Sequence, residues 1–173
     1  MRHWSIVLSF LLFPVIALAG DKLTPRPLDP LAAETFTRAT EGSARVRALV
    51  ETLEGSNVIV HIVTAAQMPL GIGGMTRFVT SRGGYRYLRI TLGSEMTLRV
   101  RAGILGHELQ HAVEVAQSSA ADVNSIRELF ENKGHRSGDF FETMAAIQTE
   151  QFVRMQLRAK PSLQAEPVVK FDH

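Results

Sequence analysis

The sequence predicts an α+β domain: a small, mostly antiparallel three-stranded sheet packed on one long amphipathic helix, with helices before it and another late in the chain. Three observations predict it. Apolar residues recur at helical spacing in the early and late parts of the chain, and three stretches between them switch to β-branched or alternating patterns. At 173 residues, 45% of them hydrophobic, the chain suits one domain with one core.

The first residues, "MRHWSIVLSFLLFPVIALAG", combine a basic start at Arg2, an apolar run and the small-residue pattern Ala17-Leu18-Ala19, the layout of a secretory signal peptide over 1–19. The apolar run is short for a bilayer span, so no stable membrane span is expected after cleavage. The expected location is outside the cytoplasm, periplasmic or secreted. Residues 20–28 carry two of the chain's seven prolines, Pro25 and Pro27, with Pro30 just beyond, and read as an extended leader. The folded domain is expected over 29–160, followed by a loosely held tail over 161–173.

Asp29-Pro30 is a helix-start pair, a side-chain cap followed by a residue whose missing N–H costs nothing there. The helix it opens should break at Gly42-Ser43, where Ser43 can cap a second helix ending before Gly55. "NVIVHIVTAA" is apolar on both faces, as a central buried strand would be. "TRFVT" and "YRYLRITL" flank "SRGG" and read as a hairpin. In the second of these, Leu88, Ile90 and Leu92 alternate with Tyr87, Arg89 and Thr91, which predicts an exposed edge strand from Tyr85 to Leu92 bordering a cleft. Ser94 is placed to cap a long helix from about Glu95 to Gln117. A short helix ending at Gly134, a loop at "HRSGD" and a long helix from Phe140 to Pro161 complete the expected order.

Composition excludes several chemistries. Zero cysteines rule out disulfides, a thiol nucleophile and thiolate ligands, so any metal must be held by His, Asp or Glu. Removing Arg2 with the signal lowers the formal net charge from +2 to +1, and basic residues are interspersed with acids, so no nucleic-acid partner is expected. The chain says nothing of oligomeric state.

The long helix contains "ILGHELQHAVEVA", with His107, Glu108 and His111 in the order H-E-x-x-H. At about 100° per residue, Leu98, Ala102, Leu105, Leu109, Ala112 and Ala116 form one stripe. His107 and His111 lie about 40° apart on the opposite side, about 6 Å apart along the axis, and can converge on one tetrahedral ion such as Zn²⁺. Glu108, about 100° from His107, is better placed to take a proton from water than to act as a ligand. The plain alternative is the solvated polar face of an ordinary amphipathic helix. A catalytic zinc takes three protein ligands, and a third His six residues past His111 is missing because Gln117 stands there.

With "HELQH" and "FETMAAIQTE", the sequence resembles the gluzincin group of zinc metallopeptidases, of which thermolysin is a member. It also resembles small exported bacterial proteins with a strand like "NVIVHIV" ahead of the motif. The resemblance implies a peptidase fold of sheet, active-site helix and later helix. It implies a third ligand from that later helix, carried over to Glu142, 31 residues after His111. The chain departs from thermolysin in having Ala146 four residues after Glu142, and no large C-terminal subdomain. Glu150 and His135 are the alternative third ligands, and Asp139-x-x-Glu142 also reads as a capping box.

His61 reads as a sheet histidine and Glu114 as a solvated helix residue. Tyr87, His135 and Arg136 are oxyanion-donor candidates between which nothing selects, and "GIGG" reads as a flexible loop. The expected function is an exported zinc-dependent hydrolase of peptide or protein substrates, with His107, His111 and Glu142 as ligands and Glu108 as base. The alternative is a non-catalytic exported metal-binding or inactive module.

Overall fold

The computed structural model describes residues 25–137 and 140–159. The expected signal peptide over 1–19, most of the expected leader, Asp139, Pro161 and the expected tail lie outside the described residues. The fold is α+β, with five helices and a four-stranded mixed sheet among the described residues.

Helix α1, Pro30–Gly42, begins where Asp29 accepts the Ala32 N–H at 2.8 Å. The same carboxylate accepts from the backbone and hydroxyl of Thr64, fastening the helix start to the sheet. Helix α2, Ala44–Glu54, follows after one residue, Ser43, which accepts from Val46 and donates to Gln156. This is the break expected at Gly42-Ser43.

The sheet comprises β1 (Arg26–Pro27), β2 (Val58–Ala65), β3 (Gly74–Arg82) and β4 (Tyr85–Gly93), in the order β1-β2-β4-β3. Gly83 and Gly84, with φ of 60° and 80°, make the hairpin turn between β3 and β4, a backbone that only glycine adopts freely. Three expectations are corrected here. The sheet has four strands, because Arg26-Pro27 in the leader pairs with β2. Two of its three pairings are parallel, β1 with β2 and β2 with β4. And β4 is interior while β3 forms the edge. Alternation along β4 reports which sheet face is covered, and the number of hydrogen-bonded neighbours is a separate matter.

Helix α3, Leu98–Ala116, packs beneath the sheet, with Leu105 and Leu109 fully buried against Ile62, Leu88, Ile90 and Leu92. It starts later than expected, with Thr97 at the cap position and no side-chain cap. Ser94 instead faces Glu95, and the buried Arg101 guanidinium donates to the Ser94 and Met96 carbonyls. At the far end Arg86 donates to the carbonyls of Val115, Ala116, Ser118 and Ala120, closing the helix C-terminus.

Helix α4, Val123–Lys133, carries an Asp122–Ser125 capping box. The expected loop and helix start after Gly134 are replaced by a short hairpin, β5 (His135–Ser137) with β6 (Phe140–Glu142). Helix α5 therefore spans Met144–Ala159 and is capped by Thr143, whose hydroxyl accepts from Ala146 at 3.1 Å. It lies close against α3 because Gly106 leaves room for Val153; a Cβ there would come within 2.8 Å of it.

Candidate metal centre

His107 and His111 sit one turn apart in the middle of α3, where the helix is covered on all sides. Their burial decides against a solvated polar face: the residues are 8% and 6% exposed, and Glu108, Gln110 and Glu114 are no more accessible. Burying this many polar groups is costly unless each has a partner.

The partners are specific. Nε2 of His107 lies 3.1 Å from Nε2 of His111 and 3.0 Å from Oε2 of Glu142. Behind each ring stands another carboxylate. Glu114 Oε2 is 3.0 Å from Nδ1 of His111, and Glu150 Oε2 is 3.3 Å from Nδ1 of His107, close but not aligned as a hydrogen bond. A carboxylate at Nδ1 holds the proton there and leaves the Nε2 lone pair of His111 directed at the shared centre. Glu114 is held in turn by the Thr143 hydroxyl at 2.8 Å, and Glu150 pairs with Arg154.

His107, His111 and Glu142 form a group that could hold a metal ion, their ligand atoms all within 4.8 Å of one another. Donors on a tetrahedral zinc with bonds of about 2.0–2.2 Å stand roughly 3.3–3.6 Å apart, so the two separations of about 3 Å fit after a small relaxation. Two imidazoles and a carboxylate are also the donor types zinc takes in hydrolytic sites.

Electrostatics follow the same geometry. Burial works to lower the His107 pKa, but the carboxylates of Glu142 and Glu150 outweigh it and raise it to about 10. The His107 contact holds both Glu142 and Glu150 below the ordinary carboxylate range. Glu114 also falls below that range, as its contacts with His111 and Thr143 overcome its burial. Glu108 moves the opposite way: fully enclosed, its carboxyl is pushed up by desolvation, against the pull of the two imidazoles.

Glu108 lines the same cleft, of about 630 Å³, as the three ligand candidates. Thr76 on β3 donates to its Oε2 at 2.7 Å, and the absent Cβ of Gly74 lets the strand approach, since a methyl there would meet Ile104 at 2.5 Å and Glu108 Oε1 at 3.0 Å. The cleft's walls are β3 on one side and α4 on the other, where the Phe130 ring stands edge-on to His111 at 5.1 Å.

The expected quartet is thus brought together, with corrections to how and by what. Glu142 arrives on a strand rather than on the late helix, and the capping role falls to Thr143. Glu150, on that helix, meets the far nitrogen of His107. Glu114 is buried against His111 and is not solvated. His135 is exposed on β5 and outside the converging set. Tyr87 and His61 lie on the opposite sheet face, away from the cleft; of Arg136 only the backbone is described. "GIGG" includes the cleft-lining Ile72 and Gly74. Sequence reasoning missed Thr76, Thr143 and Phe130 altogether. The one available signal was local, Glu114 standing three residues after His111 on the same helix face.

No family model, curated protein or solved structure matches the chain.

Proposed function

We propose that the chain is an exported zinc-dependent hydrolase, a metallopeptidase of gluzincin-like type, in which His107, His111 and Glu142 hold the ion. The observation that carries the reading is the pairing of that three-donor group with a separate, enclosed carboxylate, Glu108, on the same cleft floor. A purely structural ion would need no such base. The basic, apolar and small-residue pattern of the first residues supports the location.

Zinc, when bound, supplies Lewis-acid chemistry: it polarises a carbonyl and makes a nearby water acidic enough to attack near neutral pH. The chain's own groups do the rest. Glu108, its carboxyl held above the ordinary carboxylate range by burial, takes a proton from the attacking water as the new C–O bond forms. It returns that proton to the amine nitrogen as the C–N bond breaks, leaving a carboxylic acid and an amine, between which the acid's proton then passes to give carboxylate and ammonium near neutral pH. Thr76 aims the carboxylate, while Glu114 and Glu150 orient the two rings.

Substrate positioning falls to β3, whose outer edge is unpaired among the described residues and lines the cleft. An extended peptide can add to it by main-chain hydrogen bonds between Gly74 and Phe78, before the irregularity between Phe78 and Thr80 interrupts the ladder. The test is a broad peptide library incubated with zinc-loaded chain and with Glu108→Gln. Cleavage by the parent alone is expected. A library left intact by fully loaded parent would overturn the peptidase reading in favour of a metal-binding module.

A further inference from the structure

Among the described residues the sheet has one covered face and one open face, and the register places a row of basic side chains straight across the open one. Arg26 pairs with His61, His61 with Arg89, and Arg89 with Arg77, one residue from each of the four strands. Directly paired residues share a face, and the neighbouring positions Ile62, Ile90 and Leu88 point into the core, so all four side chains stand on the outer side. At a strand spacing of about 4.8 Å the row is roughly 14 Å long.

Nothing neutralises it. The four strands contain no Asp or Glu, and among the described residues Arg26, Arg77 and Arg89 are exposed and make no ion pair or hydrogen bond. Like charges directly opposite in a sheet destabilise it, so Arg77 beside Arg89, with Arg26 two strands along, is a cost to the fold. His61 feels them: its pKa is lowered by burial first and then by Arg26 and Arg89. Alongside runs a second row, Val63, Thr91 and Met75, continued by Leu28, which lies one residue past β1 and is 57% exposed. Tyr85 and Tyr87 extend the same face on the other side of the cations.

We propose that this face docks on the surface of an anionic lipid bilayer. Unpaired arginines find lipid phosphates and anionic headgroups, and the apolar and tyrosine side chains beside them occupy the interfacial layer. A nucleic-acid surface would interleave aromatic rings with the cations for stacking, whereas here the tyrosines stand on one side of the row only and Val63, Thr91, Met75 and Leu28 on the other. The metal centre lies on the helix side of the sheet; Arg77 and Met75 also border its cleft, while Arg26, His61 and Arg89 do not.

The experiment is co-sedimentation of the full chain with vesicles of phosphatidylcholine alone and with 30 mol% phosphatidylglycerol added, comparing the parent with an Arg26→Gln, Arg77→Gln, Arg89→Gln triple variant. Preferential binding of the parent to the anionic vesicles is expected, weakening with salt. The triple variant should lose roughly fivefold per arginine, on the order of 100-fold in all, with a melting temperature no lower than the parent's. Because both chains share the same ends, the difference reports this face alone. Equal partition of the parent between the two vesicles, or parent-like binding by the triple variant, overturns the proposal. So does arginine-dependent binding to a single-stranded oligonucleotide with no preference for anionic vesicles.

Discussion

Glu114 Oε2 stands 3.0 Å from Nδ1 of His111, one helical turn along the same buried face, while the ring's other nitrogen turns to His107. This fixes the tautomer that a ligand must adopt. Glu114→Gln should therefore weaken zinc binding by about 10- to 100-fold, measured by competition with a chelator, because an amide can present its N–H₂ to the ring and favour the wrong tautomer. Parent-like affinity would return Glu114 to a packing role.

Glu142 and Glu150 contact opposite nitrogens of His107, and equivalent substitutions separate their roles. Glu142→Gln removes an anionic donor and should cost at least about 100-fold in zinc affinity, while Glu150→Gln acts only through His107 and should cost roughly tenfold. The reverse ranking would make Glu150 the third ligand. Because Thr143 caps α5, Glu142→Gln should leave the helix start intact, and the metal-free melting temperature should fall only through the lost Glu142–His107 contact.

Glu108→Gln should retain zinc and lose about 10²- to 10⁴-fold in turnover, the usual worth of a positioned general base. The same substitution should raise the melting temperature of the metal-free chain. A carboxyl whose folded pKa is raised by desolvation disfavours folding once it must ionise, above its ordinary value, and a neutral amide removes that cost. A lower melting temperature for this variant at pH 8 would contradict the burial argument.

The metal-free chain should also lose stability toward alkaline pH. His107 has its folded pKa raised from the ordinary value of 6.5 to about 10, so its stabilising proton is fully held below 6.5 and lost as pH rises through 10. Melting temperature should fall across that window in the parent and stay flat in His107→Gln. Zinc, which needs the ring deprotonated, should release a proton on binding in the same range, read as a buffer-dependent calorimetric heat. Identical heats in buffers of different ionisation enthalpy would count against it.

Gly74→Ala tests the close approach of β3 to the base. A methyl placed 2.5 Å from Ile104 and 3.0 Å from Glu108 Oε1 must displace the strand or the carboxylate. Turnover should fall by tenfold or more, the order expected from a misplaced general base, while zinc affinity holds. Unchanged kinetics would show that the strand yields without moving Glu108.

What the sequence made legible was local. The Asp29 and Ser43 caps, the Gly83-Gly84 turn and the spacing of His107, Glu108 and His111 each depend on a few adjacent residues, and each stands where expected. What stayed hidden depends on distant chain. A helical wheel shows that Glu114 is on the polar side of α3 but not that Thr143 and the hairpin before α5 will cover it. Three-residue strands such as β5 and β6 carry no periodicity, so Phe140-Phe141-Glu142 reads as helix start. Alternation in β4 reveals its buried face and is silent on β2 and β3 pairing to either side.

The central claim is that His107, His111 and Glu142 together bind one zinc ion. Its most direct measurement is the zinc content of purified chain after dialysis against trace zinc, for the parent and for His107→Ala and His111→Ala. One equivalent in the parent and near none in either variant is predicted. No stoichiometric zinc in the parent, or full occupancy in either variant, would contradict the account.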